Sequence, residues 1–270
     1  MKTLRITLDT FQAAITARRL ASTVQSLPHL EWDGESPYAG HRPSPAFERW
    51  NSQPPANQLA DHWSERFLDG QRYVACFEAL TLPPDYAYRF FRKSWGAGTV
   101  GRVFCVPARA RLEPVQGEPS LETVAEAGHP LEKVTGDGQP ESYFFATMLM
   151  RALRDAGAFW HGLAFDLGDP IAVKPDLKPL DTRRRPGWWE RIRGKKSEEG
   201  IYKEWELLAE LPSDWLPRVE MGDPVVVSYY AHKLYYGERI LRIRDCYQPG
   251  CYVPQTTLEE LAKGPRMVVV

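Results

Sequence analysis

The stretch YAYRFFRKSWGAGTVGRVFCV, residues 86–106, decides how the fold is read. Gly96, Gly98 and Gly101 stand at the G-x-G-x-x-G spacing of a phosphate-cradling loop. A dinucleotide site needs the last of these glycines to open a helix whose N-terminus faces the pyrophosphate. Here RVFCVP follows, and Pro107 with its β-branched and aromatic neighbours favours a strand. The longer kinase pattern G-x-G-x-x-G-x-V, ending at Val103, suits a hairpin better. However, the next lysine after Lys93 is Lys133, and neither H-R-D-L-x-x-x-N nor D-F-G occurs. Without a catalytic base and magnesium ligands there is no phosphoryl-transfer machinery to place. The stretch therefore reads as two strands joined by a glycine-rich turn.

Working outward, RYVACFEAL is rich in aromatic and β-branched residues and reads as a further strand of the same meander. Before it, Asn57 as cap, Leu59, Trp63 and Phe67 at steps of four, and Gly70 as stop predict a helix. Residues 28–55 are rich in Pro, Gly and Ser and read as irregular surface chain. TLRITL near the start is strand-like, and residues 9–27 are an amphipathic helix with Asp9 and Gln12 as a variant capping box. Residues 142–157 form the most apolar helix, with Phe144, Met148, Leu149 and Leu153 on one face and Arg151, Arg154 and Asp155 left wet. GDPIAV and GDPVVV each read as a turn feeding a strand, and residues 225–247 as strand, turn at Tyr236-Gly237, and strand. Thr257 to Glu260 reads as a capping box opening a last helix that Gly264 closes, and RMVVV as a final strand. Strands and helices mix without βαβ alternation, so the expected fold class is α+β, a mostly antiparallel sheet with helices packed on it.

Charge divides the chain further. Residues 113–141 hold seven carboxylates (Glu113, Glu118, Glu122, Glu126, Glu132, Asp137, Glu141) against Lys133 alone. Residues 183–196 hold seven cations (Arg183, Arg184, Arg185, Arg191, Arg193, Lys195, Lys196) against Glu190 alone. The acidic stretch, with one short helix between Ser120 and Gly128, reads as a linker or excursion. The expected organisation is one α+β domain over 1–270, divisible into sub-lobes 1–112 and 141–270 across the acidic segment 113–140.

A chain with 43% hydrophobic and 26% charged residues buries a core and is neither disordered nor fibrous. No window approaches the roughly 18 apolar residues of a membrane helix, and the start lacks a signal-peptide pattern, so a cytoplasmic protein without a membrane partner is expected. Cys76, Cys105, Cys246 and Cys251 are too few to carry the fold by disulfides. A net charge of −1 argues against a surface devoted to nucleic acid. The Cys246 to Cys251 spacing is wider than a zinc knuckle, no second pair completes a site, and no metal or other cofactor is expected. There is no G-x-S-x-G elbow. His161, with Asp166 and Asp169 nearby, is the most suggestive acid-base candidate, and a satisfied structural histidine is its plainer reading. The expectation is a protein that is not an enzyme.

The segment TRRRPGWWERIRGKK combines guanidinium groups with two indoles. Such a segment is a solvated loop with tucked tryptophans, a protein-protein anchor, or a grip for single-stranded nucleic acid. As an anchor it nominates Arg184, Arg185, Trp188, Trp189 and Arg193, with Glu118, Glu122 and Glu126 on the acidic side. FFRKSWGAG, RPGWWERIRG and the Pro-rich SPYAGHRPSPAFERW resemble the immunity protein 52 family of bacterial polymorphic toxin systems. That resemblance implies a stoichiometric inhibitor of a cognate protein toxin, such as a nuclease effector of a type VI secretion system, and it assigns no residue roles. The alternatives are a nucleic-acid binder using 183–196 and an enzyme with a dispersed site near His161.

Overall fold

The computed structural model describes residues 2–26, 63–95, 98–110, 113–115, 117–156, 159–160, 167–177, 205–233 and 238–264. In chain order the elements are β1 (Lys2–Arg5), α1 (Leu8–Ser26), β2 (Trp63–Leu68), α2 (Gly70–Ala75), β3 (Leu80–Thr81), β4 (Tyr86–Trp95) and β5 (Gly98–Pro107). They continue with β6 (Thr135–Gly136), α3 (Pro140–Arg154), β7 (Phe159–Trp160), β8 (Asp169–Ile171), β9 (Glu206–Leu207), β10 (Arg218–Met221), β11 (Val225–Lys233), β12 (Arg239–Tyr247) and β13 (Gln255–Lys263). One sheet runs β1-β10-β11-β12-β13-β9 with β8 on β11, a second runs β2-β4-β5-β7, and β3 pairs β6. The fold is α+β with antiparallel pairing, as expected.

Two compact units share the chain: Met1–Ala164, Pro217–Val227 and Asp245–Thr256 make the first, and Phe165–Leu216, Ser228–Arg244 and Thr257–Val270 the second. The acidic segment lies wholly inside the first unit. In the second unit Trp215, Ile240, Leu261 and Ala262 form the buried cluster, against which Trp205 and Tyr230 pack. There β8 pairs with Tyr230–His232 of β11, and Gly168 (φ 64°) passes so close to the His232 backbone that an added Cβ would sit 2.7 Å from it.

The first unit is organised on the β4–β5 hairpin, paired from Tyr86 and Pro107 to Trp95 and Gly98. Gly96 and Ala97, which join the strands, lie outside the described residues. Register sorts the side chains by alternation. Ala87, Arg89 and Phe91 share one face with Phe104, Val106 and, from β2, Trp63 and Glu65. Tyr88, Phe90, Val103 and Cys105 take the other. Both faces are covered, which is why the run AYRFF is buried continuously instead of alternating. On the second face Tyr88 meets Gly70 of α2, and Gly101 lies against Phe90 and against Ala156 just past α3. Phe77 and Phe145 make an edge-to-face pair 6.4 Å apart, and α1 packs on α3 through Phe11 and Phe144, 6.1 Å apart. Arg18 and Asp155 close that helix pair at 2.8 Å.

Several sequence expectations give way here. Residues 63–68 are strand and not helix; side chains four apart share a face in both structures, so Leu59, Trp63 and Phe67 could not discriminate, and 57–62 lie outside the described residues. RYVACFEAL does not open as a strand: Asp69 accepts the Arg72 N–H at 3.3 Å and starts α2, so Gly70 begins a helix instead of ending one. The 120–128 helix is a single capped turn, with Ser120 accepting the Thr123 N–H at 3.3 Å, before Glu126 turns at φ 55°. Residues 257–260 belong to β13 and not to a helix; Thr256 Oγ1 donates to Asp245 and Arg242 binds Glu259 across the strands. Thr7, not Asp9, caps α1, accepting the Thr10 N–H at 3.1 Å. Arg151 is buried on α3, where it faces the charge of Asp245, while Arg154 is exposed. The terminal RMVVV and the turn at Tyr236-Gly237 lie outside the described residues.

Candidate functional site

The acidic segment is stitched to the hairpin along its length. Arg89 donates to the Glu113 carbonyl at 3.0 Å, and Val115 and Val124 pack with Trp63, Phe91 and Phe104 on the first face. Arg102 donates to the Pro119 carbonyl at 3.1 Å. Gly128 then pairs with Cys105 at the outer edge of β5, through N–H to carbonyl bonds of 2.7 and 3.1 Å. Tyr88 donates to the Pro130 carbonyl at 2.8 Å on the second face, and β6 pairs β3. The segment thus wraps one sheet edge from face to face. Val115, Val124, Leu131 and Val134 are buried and Leu121 is exposed, as are all seven carboxylates of the segment. This segment is part of the core's covering and not a spacer.

The surface so made is held locally. Glu118 pairs with Arg102, and Lys133 binds Glu132 at 2.8 Å. The Ser120 hydroxyl donates to Glu122 at 2.6 Å and draws that carboxyl below its ordinary range. The hydrogen bond from Lys133 likewise lowers Glu132, and Glu132 raises the Lys133 ammonium. Glu113, Glu122, Glu126, Asp137 and Glu141 have no ion pair among the described residues. Adjacent lies a cleft of about 270 Å³, lined by Tyr86, Cys105, Pro107, Glu126, Ala127, Gly128, Glu132 and Lys133. The Lys133 ammonium stands 5.5 Å from the centre of the Tyr86 ring. The Glu132 carboxylate lies over Gly128, in the space where a Cβ would stand.

Burial shifts two titratable groups in and beside this cleft, Cys105 and His129. Burial, then the nearby Glu132 charge, pushes the Cys105 thiol up to about 12, so the thiolate that a nucleophile or metal ligand requires is scarce near neutral pH. His129 accepts the Leu131 N–H on Nδ1 at 3.1 Å, and its burial, partly opposed by Glu132, lowers its pKa below the usual histidine range. An unfolded chain then takes up this proton before the native one does, so stability falls as pH drops below about 6.5. Measured by urea unfolding between neutral and mildly acidic pH, that slope is expected to flatten in His129→Gln. No group of three His, Cys, Asp or Glu side chains among the described residues is arranged to hold a metal ion.

Of the nominated residues, Glu118, Glu122 and Glu126 are all exposed along this segment, and Glu126 alone of the three lines the cleft. Arg184, Arg185, Trp188, Trp189 and Arg193 lie outside the described residues, as do His161 and Asp166. Asp169 is the first residue of β8. Gly101 lies within β5, opposite Arg92, and not in the turn: a Cβ there would lie 2.7 Å from the Ala156 carbonyl carbon, nearer still to its oxygen, and 2.8 Å from Phe90. Sequence reasoning missed Tyr86, Cys105, His129 and the Glu132–Lys133 pair. Lys133, the lone cation of an acidic stretch, was the one available signal.

The fold and site together define an α+β protein with an anchored acidic surface beside a small polar cleft. Comparison with protein-family models, with curated proteins and with solved structures gives no match. Among the described residues no helix is long and apolar enough to cross a membrane.

Proposed function

We propose that this protein works by stoichiometric binding, docking the acidic 113–141 surface onto a basic face of a cognate protein toxin. The observation that carries the reading is that every carboxylate of this stretch faces solvent while Val115, Val124, Leu131 and Val134 are buried beneath; Leu121 alone of its large apolar side chains is exposed. Ordering has been completed in folding, so binding avoids the loop entropy that weakens flexible surfaces. A concentrated negative field steers a basic partner and excludes acidic ones. The resemblance to immunity proteins supplies the kind of partner, and a nuclease, whose site reads phosphate, is a natural target for a carboxylate-bearing mimic. On this reading the basic, tryptophan-rich 183–196 segment is a second anchor.

The test uses the product of the neighbouring gene, expressed in cells with and without this chain. Co-expression is expected to relieve growth arrest, and the triple replacement Glu118→Gln, Glu122→Gln, Glu126→Gln to slow association by about tenfold or more at low salt. Because exposed charges contribute little to folding, Tm is expected to stay nearly unchanged. Undiminished association in the triple variant rejects this surface.

A further inference from the structure

The cleft beside the acidic surface is small. Sites for whole cofactors and drug-sized ligands occupy roughly 300–1,000 Å³, and this one measures about 270 Å³. Its lining carries two carboxylates, Glu126 and Glu132, against the ammonium of Lys133. We propose that it is a receptacle for one arginine side chain, the anchor that a basic partner inserts into the acidic surface. The proposal rests on the docking reading above and names its central contact.

The cleft wall already holds a cation in the manner required. The Lys133 ammonium is 2.8 Å from Glu132 and 5.5 Å from the Tyr86 ring centre, a carboxylate and an aromatic face serving one positive charge. A second carboxylate, Glu126, stands in the lining with no ion pair among the described residues, so the cleft has more acceptor than donor charge. Glu126 is held there at φ 55°, the left-handed region that a side chain adopts at a cost of about 1 kcal/mol or more. Gly128 opens the floor, and its backbone is fixed on β5 by the two bonds to Cys105. A guanidinium suits such a place better than an ammonium. It is planar, matches carboxylates bidentately, stacks on tyrosine and is weakly hydrated. Arginine buried in a preformed pocket, ringed by polar contacts, is also a common form of interface hot spot.

The experiment titrates N-acetyl-L-arginine amide into the isotope-labelled full-length chain and follows the backbone amide resonances of Ala127, Gly128 and Lys133. Saturable shifts at these amides are expected, with N-acetyl-L-lysine amide weaker and the uncharged isostere N-acetyl-L-citrulline amide inert. Glu126→Gln and Glu132→Gln are each expected to weaken arginine binding about tenfold, the loss of one charge-assisted contact, whereas Glu122→Gln, outside the cleft, leaves it unchanged. Equal shifts from citrulline, or equal weakening by Glu122→Gln, would overturn the proposal. Because the titration needs no partner, the two readings fail separately. Saturable arginine binding without toxin neutralisation supports the cleft and rejects the docking surface; neutralisation without arginine binding does the reverse.

Discussion

Gly101→Ala is expected to destabilise the protein by about 3 kcal/mol or more, at the upper end of what overpacking costs. The added Cβ would stand 2.7 Å from the Ala156 carbonyl carbon and 2.8 Å from Phe90, and nearer still to the Ala156 oxygen. The obstacle is backbone just past α3, and a backbone carbonyl cannot rotate away as a long side chain does. Relief requires the hairpin and the helix end to separate, which opens the face where Phe90 and Val103 are buried. Urea unfolding followed by tryptophan fluorescence measures the loss. A variant as stable as the parent would show that this glycine is not a packing residue, and the phosphate-loop reading of 96–101 would return.

The second large effect concerns a buried ion pair on the opposite face. Arg89, 1% exposed, donates to Glu65 through Nε at 2.7 Å and Nη2 at 3.0 Å, and its Nη2 also reaches the Glu113 carbonyl at 3.0 Å. It lies 5.1 Å from the centre of the Phe91 ring. Removing the carboxylate strands a guanidinium away from water, so Glu65→Ala is expected to cost about 3–5 kcal/mol. Replacing both partners by apolar residues of similar volume, Glu65→Leu with Arg89→Met, removes both desolvated charges. The double variant is expected to lose less than Glu65→Ala alone, provided the Glu113 carbonyl finds water. A double-mutant cycle in urea decides it; a strictly additive result would mean that the two groups do not act as a pair. Since Arg89 also pins the start of the acidic segment, Glu65→Ala is expected to loosen the docking surface, visible as faster amide exchange at Val115.

The sequence disclosed the parts whose signal is local. The amphipathic period of α1 and α3, and the β-rich flanks of the glycine turn, survive because each is written in consecutive residues. Trp63 and Phe67 were legible as a face but not as a strand, since a spacing of four serves both periods. Residues 257–260 carry a capping-box pattern, yet they lie beside β12, where Arg242 and Arg239 attract Glu259 and Glu260. Pairing with a neighbouring strand outweighs a cap that stabilises by only about 1 kcal/mol. The acidic segment shows the same limit at the level of the site. Its charge was visible from composition, but the buried Val115, Val124, Leu131 and Val134 that anchor it are isolated residues without period, and the Gly128–Cys105 bridge that forms the cleft joins positions far apart in the chain. Nothing in either local sequence encodes that meeting. The cleft residues Tyr86 and Lys133 are therefore products of topology, whereas the carboxylates above them could be nominated in advance.

The central claim is that a preformed carboxylate surface on the 113–141 segment binds a basic protein. Titration calorimetry of the full-length chain against the purified product of the neighbouring gene, at low and high salt, tests it most directly. The account predicts one-to-one binding that weakens steeply with salt and weakens at low salt in the Glu118→Gln, Glu122→Gln, Glu126→Gln variant. Binding of equal strength in the parent and the triple variant, indifferent to salt, would contradict it.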